Sequence, residues 1–198
     1  MPEIPLFPLK TVLLPGNKLP LKIFEPRYTD MIAQCLREDT LFGVVFIYKG
    51  EEVADKAEIY SIGTTAVVSD WQQRNDGLLG ITALGKHRFT IHKTRQQTDG
   101  LVIADVEVLE EKQQQTIPEH YQYMLELLRH VKHDKSQVVI SEEDFNQTIF
   151  QLIFLLPLDN ILKQRLLEIP SCLDRAAILH AELIRLGVIQ YIEPTLSS

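Results

Sequence analysis

The sequence GITALGKH at residues 80–87 is the closest approach to a nucleotide-binding motif in this chain, because it matches the pattern G-x-x-x-x-G-K. In proteins that use this pattern, the loop and the N-terminus of the following helix hold phosphate, and a Ser or Thr after the lysine binds Mg²⁺. His87 takes the place of that hydroxyl, and residues 88–91 (RFTI) are predicted to form a strand instead of a helix. We therefore predict neither a nucleotide site nor any other cofactor.

Histidine and cysteine spacing gives no metal site and no nucleophile. His120, His130 and His133 fall in a helical stretch, but they lack the H-E-x-x-H spacing of zinc peptidases and are predicted to be solvated. Cys35 and Cys172 lie far apart without a C-x-x-C motif, and both are predicted to be buried, reduced thiols. No G-x-S-x-G elbow is present. The sequence predicts a protein that is not an enzyme and has no catalytic or metal-binding residues.

Residues 86–95 form the one locally basic stretch of the sequence, and its charged residues are candidates for binding a partner. Strand alternation predicts Lys86 and Arg88 on one side, with Phe89 and Ile91 facing the core. Basic strands on small β folds can bind the RNA backbone, so an RNA-binding protein is one alternative. The net charge of −7 argues against nucleic acid, because binding requires cations that neutralise phosphates.

Trp71 is the single tryptophan of the chain and comes just before a polar hairpin tip. An exposed tryptophan there would anchor a protein partner through its large contact area. Burial in the core is the favoured alternative, since large aromatic side chains are highly buried on average. Trp71, Lys86 and Arg88 together form the candidate partner-binding surface.

The elements that must position these residues change in type along the chain. Residues 1–115 are predicted to form short strands, with an Asp76-Gly77 hairpin between residues 78–84 and the strand before it. One short helix begins at Pro26 and carries an apolar stripe that includes Phe24, Tyr28 and Met31.

From residue 116 the apolar period becomes helical. Helix starts are predicted at Thr116, Ser141 and Ser171, each followed three residues later by an acid. The second of these helices, ending before Pro157, is apolar nearly all round and is predicted to be the buried centre of a bundle. The predicted fold is therefore α+β, with domains at 1–115 and 116–198.

Composition favours an ordinary globular protein, with 45% hydrophobic and 24% charged residues among 198. The N-terminus has no basic and apolar signal-peptide pattern, and no stretch approaches the roughly 20 apolar residues of a membrane span. We expect a cytoplasmic protein without membrane contact, as a monomer or weak dimer.

Several spaced motifs resemble the opening of the Lon N-terminal, or LON substrate-binding, domain family. The resemblance covers roughly the first 110 residues and includes residues 4–9 (IPLFPL), 12–16 (VLLPG), 19–28 (LPLKIFEPRY), 42–45 (FGVV), 62–64 (IGT) and 85–89 (GKHRF). Its most specific part is the signature Phe24, Glu25, Pro26, Arg27 and Tyr28. Prolines and a helix-start acid have structural reasons of their own, so we interpret this signature as a clasp between strand and helix.

The resemblance implies a PUA-like β pseudobarrel with one short helix, followed by an α-helical subdomain. It further implies binding of unfolded or degron-bearing polypeptides, in connection with a protease or chaperone system. In full-length Lon proteases an ATPase with a Walker A loop and a Ser-Lys protease domain follow, and we expect a stand-alone form without them. A small-molecule-binding pseudobarrel is the other alternative.

Overall fold

The structure is a computed structural model that describes residues 1–50, 52, 57–111, 117–133 and 144–189. The chain divides into two compact units, Met1–Glu110 and Glu111–Ser198. The first contains all the described strands and one helix, and the second contains only helices among its described residues. The predicted α+β class is confirmed.

The described residues of the first unit form seven strands: β1 (Glu3–Leu9), β2 (Lys18–Ile23), β3 (Phe42–Lys49), β4 (Glu58–Ile59), β5 (Ile62–Gln73), β6 (Leu79–Gln96) and β7 (Val102–Val108). Five of them close into a ring in the order β1-β7-β6-β5-β3, and β3 pairs back to β1 in parallel. The other two extend the sheet, because β2 pairs with β6 and β4 pairs with β3.

Strand β1 has neighbours on both sides despite its two prolines. It pairs with β7 over its first half, from Glu3 to Leu6, and with β3 over its second half, from Leu6 to Leu9. Pro5 therefore lies where only β7 is paired and Pro8 lies where only β3 is paired. Proline has no backbone N–H and cannot donate a hydrogen bond to a second neighbouring strand. Because each of the two prolines has a paired strand on one side only, both fit into the closed ring.

Strand β6 runs unbroken for 18 residues, where the sequence predicted two strands separated near Gly85. A side chain at this position is excluded by sterics, because a Cβ atom there would lie 2.5 Å from the carbonyl oxygen of Leu14. Gly85 also exchanges backbone hydrogen bonds with the 16–17 segment. A glycine in a strand marks a close backbone approach as readily as a strand end.

The interior of the ring is packed around Phe89, which is fully buried. Gly43 and Gly63 leave room for its ring, because a Cβ atom at either position would approach Cζ of Phe89 within 2.8 Å. We call this cluster the barrel core; it contains Ile4, Leu6, Val45, Phe89, Ala104 and Val106.

Helix α1 (Pro26–Glu38) covers a second cluster on the outer side of the sheet. Its buried residues are Tyr28, Met31, Ile32 and Cys35, as the apolar stripe predicted. Phe24 is an exception: it precedes the N-cap residue Glu25, lies outside the helix and is 55% exposed. We call this cluster the helix-covered core; its other members include Phe7, Leu9, Phe42, Val44, Ile81 and Ala83.

The described residues of the second unit form a 3₁₀ turn at Glu119–Tyr121 and four α-helices. They are α2 (Tyr123–His133), α3 (Phe145–Leu155), α4 (Asn160–Glu168) and α5 (Cys172–Arg185). Helix α3 is the buried centre that the sequence predicted. Its N-cap is Asp144, whose carboxylate accepts hydrogen bonds from the amides of Asn146 and Gln147. The predicted start at Ser141, like that at Thr116, lies outside the described residues.

Arg175, on α5, is the fully buried polar centre of this unit. Its guanidinium donates to the carbonyls of Leu166 and Ile169 at 2.9 and 2.6 Å and to the side-chain oxygen of Asn146. The two carbonyls belong to the C-terminal end of α4, which has no intrahelical partners to offer them. Arg175 therefore caps α4 from a neighbouring helix.

Candidate functional site

The F-E-P-R-Y signature forms the entry to α1. Glu25 is the N-cap residue, but its carboxylate makes no hydrogen bond to the helix amides. It binds Nη2 of Arg27 at 2.7 Å instead. The ring of Tyr28 stacks on Phe7 of β1 at a centroid distance of 4.3 Å.

Arg27 also connects α1 to the turn between β6 and β7. Its Nη1 donates to the carbonyl of Gly100 at 3.1 Å, and the guanidinium lies 4.9 Å from the centroid of the Tyr28 ring. The Arg27 side chain is 10% exposed. Its Nε has no hydrogen-bond partner within the described part of the chain. Tyr28 thus ties the helix to β1, and Arg27, held by Glu25, ties it to the turn between β6 and β7.

Trp71 is exposed over 60% of its surface, which contradicts the favoured expectation of core burial. The cause is its place on the sheet. β5 continues beyond its last pairing with β3, at Ala66, and this extension is paired only with β6. The indole is therefore carried past the region that α1 covers.

A β-bulge decides which side of the sheet Trp71 faces. Between Val68 and Asp70 the register with β6 shifts by one residue, so Ser69 is the extra residue. Trp71 then lies opposite Ile81, whose side chain is in the helix-covered core. Directly paired residues of antiparallel strands point to the same side, so Trp71 faces that side too.

The neighbours of Trp71 on this side are apolar and half-buried. Pairing places Leu21 and Trp71 on either side of Ile81, and Leu19 and Val68 on either side of Ala83. Leu79 lies at the end of the same side and packs against the helix-covered core from its edge. We call this surface the Trp71 face; it consists of Leu19, Leu21, Val68, Trp71 and Leu79.

The other two residues of the predicted partner surface do not lie together. Lys86 is exposed, but Arg88 is only 2% exposed. A second bulge explains the error, because Thr64 pairs with Arg88 while Ala66 pairs with Gly85, which leaves an extra residue in β6. Alternation fails across a bulge, so the expectation that Lys86 and Arg88 share one solvated side is wrong.

The basic stretch as a whole does not form a cationic surface. Besides the burial of Arg88, His92 contacts the carboxylate of Glu107 at 2.9 Å, and Arg95 contacts that of Glu3 at 3.0 Å. Each of these acids offsets the local positive charge. The geometry therefore does not favour the RNA-binding alternative.

No group of three or more His, Cys, Asp or Glu residues with metal-binding geometry occurs among residues 1–50, 52, 57–111, 117–133 and 144–189. His130 is exposed and contacts the carbonyl of Glu126, one turn earlier in α2. Cys35 and Cys172 are buried free thiols, as predicted. Burial raises the pKa of the Cys172 thiol to about 11, which keeps it protonated at neutral pH.

Four residues of the Trp71 face were missed by sequence reasoning. For Leu19 and Leu21 a signal was available, because K-L-P-L-K-I at residues 18–23 alternates as a half-buried strand does. For Val68 no such signal exists, since the bulge at Ser69 puts it on the same side of the sheet as Trp71, three residues away. Leu79 follows from its pairing with Ile23.

The family model for the ATP-dependent protease La (LON) substrate-binding domain matches residues 3–185. Among solved structures, a Lon N-terminal domain protein from Xanthomonas campestris is similar, with 28% identity and a TM-score of 0.79 over 91% of this chain and 98% of that one. The N-terminal domain of the Mycobacterium avium complex Lon protease shares the fold, with a TM-score of 0.64 and 15% identity over 90% of this chain and 96% of that one.

Among curated proteins, cereblon from Xenopus tropicalis is 30% identical over 114 residues, and cereblon from Danio rerio is 32% identical over 115 residues. Each match covers 56% of this chain. The chain spans only about a quarter of the length of these relatives, 24% and 26%. In the part of the chain that the structure describes, no helix is long and apolar enough to cross a membrane.

Proposed function

Because this chain belongs to the family of LON substrate-binding domains, we propose that it is a non-catalytic module that binds unfolded or degron-bearing polypeptides. The family description concerns substrate binding, not peptide hydrolysis. The two cysteine thiols are buried. The work of such a module is recognition.

The observation that carries the proposal is the Trp71 face. It exposes a tryptophan beside half-buried leucine and valine side chains on paired strands. Exposed apolar surface of this kind costs solvation free energy, which binding of another apolar surface recovers. Tryptophan is also the side chain that most often dominates the binding free energy of protein interfaces.

The shape of the face fits an extended chain. Leu19 and Leu21 lie two residues apart on β2, so their side chains repeat at about 6.6 Å along the strand. Alternate side chains of an extended polypeptide repeat at the same distance. An unfolded segment with apolar residues at every second position can therefore contact the face along its length, whereas a folded protein has such segments buried.

The single tryptophan provides a direct test. We would titrate the protein with a reduced, carboxymethylated model protein that cannot fold, and follow Trp71 emission and its quenching by acrylamide. The expected result is a blue shift and protection from acrylamide, because binding removes the indole from water. An independent readout, anisotropy of the labelled unfolded protein, supplies the Kd.

Substitution Trp71→Ala should weaken that Kd by about tenfold or more, the loss typical of a central aromatic at an interface. Tyr48→Ala is the matched control, since Tyr48 is a similarly exposed aromatic, at 56%, but lies at the end of β3. Equal affinities for wild type and Trp71→Ala would show that this face is not the binding surface. Absence of binding to any unfolded protein would refute the proposed function.

A further inference from the structure

The sheet has two open edges in the region where β5 extends beyond β3. β6 is the middle strand there, because residues 79–84 pair with β2 on one side and with the end of β5 on the other. Among the described strands, none pairs with the outer side of β2 or with that of residues 67–73. We call residues 67–73 the β5 edge. An open edge carries backbone N–H and C=O groups that can pair with another chain.

The edge of β2 is blocked against such pairing. Gly85 donates its N–H to the carbonyl of Asn17, so this pair is hydrogen-bonded. Because hydrogen-bonded pairs alternate along an antiparallel ladder, Lys18, Pro20 and Lys22 have their backbone groups on the outer side. Proline supplies no donor there, and the two lysines add positive charge. Both are usual means of protecting an edge from added strands.

The β5 edge has neither of these protections. Its sequence, VVSDWQQ, contains no proline and no lysine, and its single charged residue is Asp70. A bulge at Ser69 interrupts it, which leaves residues 70–73 as its regular part. Residues 69–73 are all exposed. One edge of this three-stranded segment is therefore protected, and the other is left open to pairing.

The hairpin turn after β5 determines which backbone groups of the β5 edge point outward. Arg74 donates its N–H to the carbonyl of Leu78, so this pair is hydrogen-bonded. By alternation, the pairs that Gln73 and Trp71 make with β6 are not, and the backbone groups of both residues point away from β6. The amide of Trp71 agrees with this geometry, because it donates to the side chain of Asp70 at 2.9 Å.

We propose that the β5 edge binds an extended polypeptide segment as an added antiparallel strand, whose backbone pairs with Trp71 and Gln73. The occupant is a polypeptide because outward N–H and C=O groups recognise backbone, which an unfolded chain presents whatever its sequence. When the added strand accepts the Trp71 amide, the exposed carboxylate of Asp70 returns to water.

Strand addition also brings the segment against the Trp71 face. Directly paired residues of antiparallel strands point to the same side of the sheet, so every second side chain of the added strand lies on the side of the Trp71 indole. Apolar side chains at these positions bury the indole while the backbone is held by the β5 edge. The inference rests on the proposed function and specifies how the polypeptide is held.

The probe is a fluorescein-labelled ten-residue peptide in which valine alternates with threonine or lysine. Two isomers carry backbone N-methyl groups, one on the valines and the other on the polar residues, and anisotropy gives their Kd values for the wild-type protein. With the valines against Trp71, an added antiparallel strand turns the valine N–H groups toward β5 and the polar residues' N–H groups outward.

N-methylation of the valines should therefore weaken binding by about tenfold or more, because it removes the donors and adds bulk at the β5 edge. N-methylation of the polar residues should leave the Kd within about twofold of that of the unmodified peptide. Contact through side chains alone would give the two isomers equal Kd values. Equal values, or the reverse preference, would overturn the proposal.

Gln73→Pro removes an outward N–H from the β5 edge without breaking the ladder to β6, an orientation in which edge strands tolerate proline. It should weaken binding of the unmodified peptide by about tenfold or more. Gln73→Ala is the matched control, because it removes the same exposed side chain and keeps the N–H. If Gln73→Pro retains its circular dichroism spectrum and binds as tightly as Gln73→Ala, the assignment is contradicted.

Amide hydrogen exchange on the wild-type protein gives a readout that does not depend on the folding of a variant. The unmodified peptide should slow exchange of the Gln73 amide proton by about tenfold or more, because this proton gains an acceptor. The Lys22 amide also points outward, at the edge of β2, and its exchange should not change. Protection of Lys22 without protection of Gln73 would overturn the proposal.

A second copy of this chain is the other occupant that an open edge can take, and sedimentation velocity tests it. A dimer that Gln73→Pro dissolves would assign the β5 edge to self-association and overturn the polypeptide assignment, whereas a monomer supports it. If the unfolded protein binds wild type and Gln73→Pro with the same Kd, this inference fails while the proposed function stands. If it binds neither, both fail.

Discussion

The guanidinium of Arg27 donates a hydrogen bond to the carbonyl of Gly100 at 3.1 Å, across 73 residues of sequence. One end of this contact is the first turn of α1, and the other is the turn that joins β6 to β7. Because Glu25 holds the same guanidinium from the helix side, the contact fixes the first turn of α1 against the turn between β6 and β7.

Substitution of Gly100 by alanine should destabilise the first unit for two separate reasons. Gly100 has a φ of +87°, and a Cβ atom there would lie 2.7 Å from Nη1 of Arg27. We expect a loss of about 2 to 3 kcal/mol in the free energy of unfolding, from left-handed backbone strain plus displacement of Arg27. Urea unfolding followed by Trp71 fluorescence measures it.

Gly77→Ala separates the two causes. Gly77 has a similar φ of +79°, but a Cβ atom there would meet nothing within 4 Å. We expect it to lose only about 1 kcal/mol, the backbone contribution alone. If the two glycine substitutions cost the same free energy, Arg27 is not held by the Gly100 turn.

The carboxyl group of Asp76 should titrate well below its usual range. A hydrogen bond from the ammonium of Lys22, at 2.9 Å, is the main reason that the pKa of Asp76 falls from 3.8 to about 2. The folded-state pKa is the lower one, so the resulting stabilisation is fully present above pH 3.8 and is lost as the pH falls through about 2. Carboxyl-detected NMR titration of the folded protein gives the pKa directly.

Lys22→Ala should move the measured pKa of Asp76 back toward 3.8. Lys18→Ala, at the other end of the same strand, is the control and should leave it unchanged. An Asp76 pKa that does not respond to Lys22→Ala would mean that the turn backbone, through the amide of Leu78, is the main cause.

Arg175→Met should destabilise the second unit by about 3 kcal/mol or more. Methionine fills a similar volume but leaves the buried carbonyls of Leu166 and Ile169 without their donor. Arg185→Met, on the same helix, removes an exposed ion pair with Glu182 and should cost less than about 1 kcal/mol. Urea unfolding followed by circular dichroism at 222 nm measures both losses, and similar losses would contradict the capping role of Arg175.

The sequence was sufficient for the elements whose signal is local. Helix α1 follows from Pro26 and its stripe, and the start of α5 follows from Ser171, whose hydroxyl accepts the amide of Asp174 at 3.2 Å. Bulges are different, because each depends on the register of a partner strand that is distant in sequence. The bulge beside Lys86 reversed the expected exposure of Arg88, and the bulge at Ser69 set the side of Trp71.

The candidate site was predicted less completely than the fold for the same reason. Trp71 could be singled out because it is a tryptophan. Its exposure, however, follows from the part of β5 that extends beyond the last residue paired with β3. The cavity at the open end of the ring collects residues from distant parts of the chain, among them Pro8, Arg27, Ser61, Thr94 and Val102. No spacing in a linear sequence reports that juxtaposition, since it is created when the ring closes.

Closure of that ring also sets an order of events during synthesis. Glu3 pairs with Asp105, so β1 reaches the ribosome exit about 100 residues before one of its two neighbours. At ordinary translation rates of roughly 5 to 20 residues per second, this delay lasts about 5 to 20 s. During this delay β1 has no β7 to pair with, so its apolar side chains lack that neighbour. The first unit can complete its barrel only after β7 has emerged.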